Sequence, residues 1–585
     1  MNQEPKSIWK KSWSLPGLLL AWLVLMVATM IVFVVILFIA NDPGNMPGRM
    51  VFGAVFATVV LGLWLFVRWL CCWKNFRRFL FGLACFATLV ALFYAEEDWR
   101  GRRAWSQFKQ AWEAKGEHFD VASLVPPPVP PDQNFALTPI AFTSYGQMIT
   151  RDGKPIPNAQ RDTNFLVRMQ LNLVENDVYG PTNAAGDRSQ GRFINLSAWQ
   201  NYYRELARKT NEFPVPAQPG SPAADVLLAL SRHAAVLEEL RAASQLPASR
   251  FPLSYDNESP GSILLPHLAA LKSCAEVLQL RSAAELQNGQ PQPALADVRL
   301  GLQLADKIRT EPILISQLVR LAMVQIMLQP VWEGLARRQW TDPELVALEA
   351  ELSKLDIAAD FQRGLHGEIA CQIGEMERVR RHPEELDSLQ VFQADDSSGS
   401  LSFLPGGPFA RLIPSGWFRQ NEYRSARTTM DYYFPAADAA RGTFSPDLAR
   451  RGDAAVAAEV KSPCPFNLLE RVLMPALGNA ARHFAFGQAS VALARTALGL
   501  ERYRLVRAEF PETLGPLAPQ FLAAVPADPI GGQPLKYRRP AADRFVLYSI
   551  GWNETDDGGV QVFEKGASAP LDQKQGDWVW QYPEK

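Results

Sequence analysis

Cysteine is scarce in this chain, with six in 585 residues and no Cys-x-x-Cys pair. Cys71, Cys72 and Cys85 fall in or beside apolar runs, which leaves Cys274, Cys371 and Cys464 widely spaced. Neither a disulfide scaffold nor a zinc knuckle is indicated, and buried free thiols are expected. Excess charge of one sign is also missing. A net charge of −1 and a pI near 6.6 supply no polyanion-seeking surface, which argues against nucleic acid as the main partner. There are only six histidines, and none stands in an HExxH pair. GxGxxG, GxSxG and GxxxxGK[ST] are absent as well, so the standard zinc-protease, dinucleotide, serine-hydrolase and phosphate-binding loops are unsupported.

Long apolar runs, by contrast, are present. Residues 16–40 hold no charge, and 50–67 and 79–95 are two further runs, each near the roughly 20 helical residues that cross a hydrocarbon core. The first run is longer than the roughly 7–15 residues of a signal-peptide core, so it reads as a retained anchor. Lys6, Lys10 and Lys11 precede it, and Arg68, Lys74, Arg77 and Arg78 lie between the second and third runs. Only Arg49 stands in the intervening loop, and Glu96, Glu97 and Asp98 follow the third run. The positive-inside bias then places the N-terminus in the cytoplasm and the bulk of the chain outside it, while Arg100, Arg102 and Arg103 pull the other way.

The expected organisation is a three-span membrane domain (1–95), then a juxtamembrane helix and a proline-rich spacer (96–133). In the first of these Trp105, Phe108 and Trp112 form a stripe suited either to the membrane surface or to packing on the soluble region. A mixed α/β segment (134–222) follows, with turn residues Asp152, Gly153 and Asn158 and a strand pattern from Val167 to Leu173. Residues 223–472 carry helical periodicity, with start signals at Pro291, at Thr310-Glu311-Pro312 and at Thr341-Asp342-Pro343-Glu344. Short turns between amphipathic helices predict an antiparallel, tetratricopeptide-like stack, although no fixed repeat is present. Loop compositions predict an insertion over 387–456. A long helix from about Leu473 to Arg507 opens the last segment, 473–585.

That segment contains Phe510-Pro511, Asp528-Pro529-Ile530-Gly531, two strand-like runs (535–539 and 544–550) and the acidic loop from Gly551 to Gly559. These elements, over about 65 residues, resemble the globular part of the major (G-type) pseudopilins of type II secretion. The resemblance implies a small α+β tail and a calcium loop, for which Asn553, Glu554, Asp556 and Asp557 offer the hard oxygens. A solvated acidic turn is the alternative. The tail stands far from the membrane segments, so pilus assembly is not implied. The whole chain, with its three apolar runs and closing Gly576-Asp577-Trp578-Val579-Trp580, resembles uncharacterised multi-span bacterial membrane proteins, which implies the bacterial inner membrane but no activity.

For catalysis only His366 and Glu368 stand out, as a weak acid/base candidate, with a helix face as the ordinary reading. The fold class expected is mainly α. The function expected is a non-enzymatic, membrane-anchored, extracytoplasmic binding or scaffold protein of secretion or envelope assembly. Its partners would be the bilayer and another envelope protein, with no cofactor beyond the calcium considered above. The alternative is an extracytoplasmic hydrolase that works through carboxylates.

Overall fold

The computed structural model describes residues 46–142, 180–210, 212–255, 263–383, 411–461, 464–474, 476–564 and 570–581, with shorter pieces at 17–27 (in part), 148–149, 155–156, 169, 171–174 and 385. Most of the first apolar run, the residues Asp152, Gly153 and Asn158, the residues Val167, Arg168 and Gln170 and the stretch 386–410 therefore lie outside the described residues, and of the expected strand Val167–Leu173 the described residues form no strand, Met169 being helical. The described part is mainly helical, at 63% helix and 8% strand. The chain divides into two compact units, Met1–Asp98 and Trp99–Lys585.

In the first unit, helix α1 (Met46–Leu70) contains the second apolar run, and helix α2 (Trp73–Glu113) contains the third. A short turn at Cys71 and Cys72 joins them, and Phe66 meets Phe79 edge-on at 5.3 Å. The Trp22 indole donates to the Thr58 hydroxyl at 2.9 Å, the kind of bond that holds apolar helices together where water is excluded. Leu63, Phe81, Phe86, Leu89 and Leu92 are each more than 60% exposed, an apolar surface far beyond what a soluble protein leaves open. The boundary expected at 95/96 falls inside α2, because no breaker interrupts the helix there.

The second unit is a helical body with a small sheet. Its helices are α3 (Leu196–Leu206), α4 (Pro222–Leu230), α5 (Ala234–Ser244), α6 (Pro266–Gln287), α7 (Pro291–Asp306), α8 (Leu314–Ala336), α9 (Asp342–Leu352), α10 (Ile357–Arg381), α11 (Ser415–Thr428), α12 (Pro446–Lys461), α13 (Leu468–Leu473) and α14 (Leu477–Arg507). Local signals set several ends. Gly289 takes φ +71° after α6, and Pro291 opens α7. Thr341 and Glu344 form a capping box at α9, in which Glu344 accepts from the Thr341 amide at 2.8 Å. The predicted start at Thr310 is displaced: α8 begins at Leu314 with no side-chain cap, and Glu311 is drawn inward to His267 instead.

Helix α8 packs against α6, α7, α10 and α14, and its Met323, Val324, Met327, Leu328, Val331 and Trp332 are fully buried. By length and composition two described helices could cross a bilayer, α2 and α8. The most apolar window of α2 is 0% buried, whereas that of α8 is 67% buried, so α8 is the core helix of the body.

The structure departs from expectation over 387–456 and selects one of the two placements open to the aromatic stripe. The insertion is helical over α11 and the start of α12. Its polar composition hid the helix, because Asn421, Glu422 and Ser425 are themselves on the buried face. Trp105 is buried with Phe119, Ile369, Ile373, Ala426 and Met430, and Phe108 meets Tyr423 edge-on at 5.6 Å. The stripe therefore packs on the body.

In the tail, strands β1 (Lys536–Ala541) and β2 (Arg544–Ser549) form the predicted hairpin, and β3 (Gln561–Phe563) pairs with β4 (Leu571–Gly576). The closing strand β5 (Trp578–Trp580) adds to the hairpin in the order β1-β2-β5, with Leu547 opposite Trp580 and Ser549 opposite Trp578. Helix α14 lies against β2 and β5, so Trp578 and Trp580 are buried.

At one helix crossing, a Cβ added at Gly367 of α10 would sit 1.3 Å from the Pro312 carbonyl oxygen, an impossible approach to backbone. Gly367→Ala is accordingly expected to destabilise the body by about 2–3 kcal/mol, read as a lower denaturation midpoint of the purified chain.

Candidate functional site

The carboxylate of Asp528, nearly without exposure, accepts from the Ile530 amide (2.9 Å), the Ser549 hydroxyl (2.7 Å) and the Ile550 amide (3.0 Å). One side chain thus ties the Asp-Pro-Ile-Gly turn to the end of β2. Burial raises its carboxyl above the ordinary range. The turn is tied in addition to the body, since the Phe444 amide donates to the Pro529 carbonyl at 2.7 Å. Phe444 belongs to a short hairpin in which Ala437–Asp438 pairs with Thr443–Phe444.

Between that hairpin and the turn lies a cleft of about 500 Å³, within the roughly 300–1,000 Å³ usual for ligand pockets. Asp438, Arg441, Thr443, Ser445 and Glu554 supply its polar lining, and Gly531 and Gly532 its backbone floor. Asp438 accepts from the Arg441 amide at 3.1 Å, and Arg450 pairs with Glu554 while donating to the Trp552 carbonyl at 3.3 Å. Charges of both signs and the hydroxyl groups of Thr443 and Ser445, all reachable by water, suit a polar chain segment better than a single ion. The sequence pointed to Asp528–Gly532 and to Glu554, but the hairpin was hidden in loop composition.

The four calcium candidates are otherwise engaged. Asp556 pairs with Lys536 at 3.0 Å and accepts from the Tyr548 hydroxyl at 2.9 Å, which together hold its carboxyl below the ordinary range. Glu554 is turned to Arg450, and Asn553 donates to Asp557 at 2.9 Å. Two of the acids thus have protein cations as counter-charges, an arrangement that does not fit a calcium ion. Among the described residues no group of three or more His, Cys, Asp or Glu side chains is assembled for a metal.

His366 and Glu368 both lie on α10, but residues two apart on a helix face different ways. His366 pairs with Glu117 and packs on the Phe434 ring at 4.8 Å, whereas Glu368 accepts from Gln372 at 3.1 Å and burial raises its carboxyl. The structure does not bring them together. Cys371, on the same helix, has its thiol pushed up to about 12 by burial, with Glu368 and Glu375 adding to the effect. It is an inert thiol at neutral pH.

Two carboxyls that sequence reasoning missed are also raised. Glu422 on α11 accepts from Arg419 at 2.8 Å, and Glu470 on α13 accepts from the Thr428 hydroxyl at 3.2 Å. Each keeps one oxygen without a hydrogen-bond partner. Burial pushes both up to about 7, aided by Glu377 beside the first and Glu459 beside the second, against the pull of Arg419 and Arg424. No apolar periodicity marks them: Glu422 comes from a polar stretch, and Glu470 interrupts the apolar run of Leu468, Leu469, Val472 and Leu473. Comparison with protein-family models, with curated proteins and with solved structures yields no match.

The two acids make a pH prediction. A folded pKa raised from 4.5 to about 7 favours the fold fully below about 4.5, and that contribution is lost as pH rises through 7. Wild type should therefore lose thermal stability relative to Glu422→Gln and Glu470→Gln between pH 5 and 8, by on the order of 1–3 kcal/mol per site. A gap between wild type and variants that stays constant across this range would contradict the assignment.

Proposed function

We propose that this chain is a membrane-anchored, extracytoplasmic binding or scaffold protein of a bacterial envelope. The observation that carries the reading is the wholly unburied apolar window of α2, next in sequence to a unit of several hundred residues with its own packed core. Such a helix has no stable place in water. In this reading 16–40, 50–67 and 79–95 are three spans in the bacterial inner membrane, with the N-terminus cytoplasmic, as the loop charges favour. The stacked helices of the body play the part of a tetratricopeptide-like array, and the tail that of a pseudopilin-like subdomain. The polar cleft at Asp438, Arg441 and Glu554 receives a segment of another envelope protein, in support of secretion or envelope assembly.

A second reading, a carboxylate-dependent hydrolase, draws on Glu422 and Glu470, whose carboxyls titrate near neutrality as a general acid's must. Both are sealed from water, which favours the first reading. Turnover of ester, glycoside or peptide substrates that disappears in Glu422→Gln or Glu470→Gln would reverse the preference.

Alkaline carbonate is expected to leave the full-length chain in the membrane pellet, and protease added to intact spheroplasts is expected to digest everything beyond Trp99. A chain that washes off, or a C-terminal unit that survives the protease, would refute the proposed placement.

A further inference from the structure

The turn at Asp187–Arg192 sends Arg188 into the helical body. There the guanidinium donates to the Gln325 carbonyl (3.3 Å), the Gln325 side-chain oxygen and the Ser490 hydroxyl (3.1 Å). Among the described residues no carboxylate hydrogen-bonds to it. Its neighbour Asp187 is taken up by the amide and hydroxyl of Ser189 and by Arg192 at 3.6 Å. Burial pulls Arg188 down to about 10, with Asp187 only partly offsetting the effect, as expected of a cation short of counter-charge.

Against this side chain lies a cavity of about 20 Å³, lined on its polar side by Arg188, Ser490, Gln561, Trp578 and Trp580 and otherwise mostly by apolar side chains. Three donors of these residues are buried and have no acceptor: Nε1 of Trp578, Nε1 of Trp580 and Nε2 of Gln561. The Gln561 oxygen accepts from Gln581 at 2.8 Å, the Ser490 oxygen accepts from Arg188, and the hydroxyl of Ser189, which also lines the cavity, donates to Asp187. The lining residues thus offer three buried donors without partners, whereas each buried side-chain oxygen among them already takes part in a hydrogen bond.

That asymmetry selects the occupant. A water molecule fits the volume but brings two hydrogens that need acceptors. A monatomic anion accepts from every donor at once and supplies the charge that the buried guanidinium lacks. A volume of this size suits a water-sized, monatomic occupant. We propose that this pocket binds one halide-sized anion, chloride being the abundant ion of that size. The ion joins the turn at Arg188, helix α14 at Ser490 and the closing strand β5 at its two tryptophans. Three segments that are distant in sequence would so be held by one ion, and its loss would loosen the tail from the body.

The test uses the full-length chain in detergent, with its melting temperature followed in potassium chloride, potassium bromide and potassium gluconate at equal concentrations. Chloride and bromide should raise the melting temperature saturably over gluconate, by about 2 °C or more. Gln561→Glu replaces a donor by a carboxylate of the same shape and should abolish the difference between salts, and Trp578→Phe, which loses only the N–H and part of the ring, should shrink it. Crystals grown in bromide should show an anomalous peak between Arg188 and Trp578. Equal melting in halide and gluconate, a halide effect undiminished in Gln561→Glu, or no bromide peak would each overturn the proposal and leave a bridging water as the occupant.

Discussion

A polar stripe on an otherwise apolar helix governs how the body closes. Gln325, Gln329 and Glu333 stand four residues apart on α8, so they line one face of a helix that is largely buried. Gln329 accepts from the Arg188 amide at 2.8 Å and donates to the Arg192 carbonyl at 3.0 Å, and Glu333 accepts from the Ile194 amide at 2.8 Å. The Trp332 indole donates to the Gln581 carbonyl near the end of the described chain. Each of these groups, left unpaired in the interior, would cost about 1–3 kcal/mol. Both the Asp187–Ile194 segment and the C-terminal strand therefore have one place to go. Burial raises the Glu333 carboxyl, which shows how little solvent reaches this seam.

The same economy explains the internal charges. Asp297 has no exposure and is flanked by Arg241 at 2.8 Å and by Arg281, and buried Arg320 sits 3.0 Å from buried Asp360. Such pairs contribute little net stability against their own desolvation, but breaking one strands the other, so they dictate which helices meet. The cleft differs in kind. Its charges at Asp438, Arg441 and Glu554 are 40% exposed or more, available to a partner at small desolvation cost. It forms because an internal hairpin and the Asp528 turn are joined by a backbone bond.

Much of the local architecture was legible. Prolines, a Thr-Glu capping box and the apolar period located α7 and α9, and alternation located β1 and β2, because those signals act within one or two turns of the chain. The aromatic stripe of α2 was legible as a stripe but not as to what it faces. Helix α11 escaped because its inward face is amide, hydroxyl and carboxylate, a pattern that reads as loop until the partners on α10 and α13 are known. His366 was seen, but its companion is Glu117, 249 residues away, and spacing along one helix could only suggest Glu368. Glu422 and Glu470 carried no signal, because a raised carboxyl is a property of the protein that surrounds it.

The sequence by itself determined where several helices begin and end, that apolar runs cluster at one end, and that the tail carries a hairpin and an acidic turn. Each of these follows from the φ preferences, caps and periodicity of neighbouring residues. Only the tertiary structure decided that α8 is core while the apolar window of α2 stays bare, although both have the length and composition to cross a bilayer. It also decided that the last strand joins β2 and that the acidic loop answers to Lys536 and Arg450. Hydropathy states what a segment avoids, and its choice between lipid and protein as cover depends on whether other parts of the chain can reach its polar groups with matching partners.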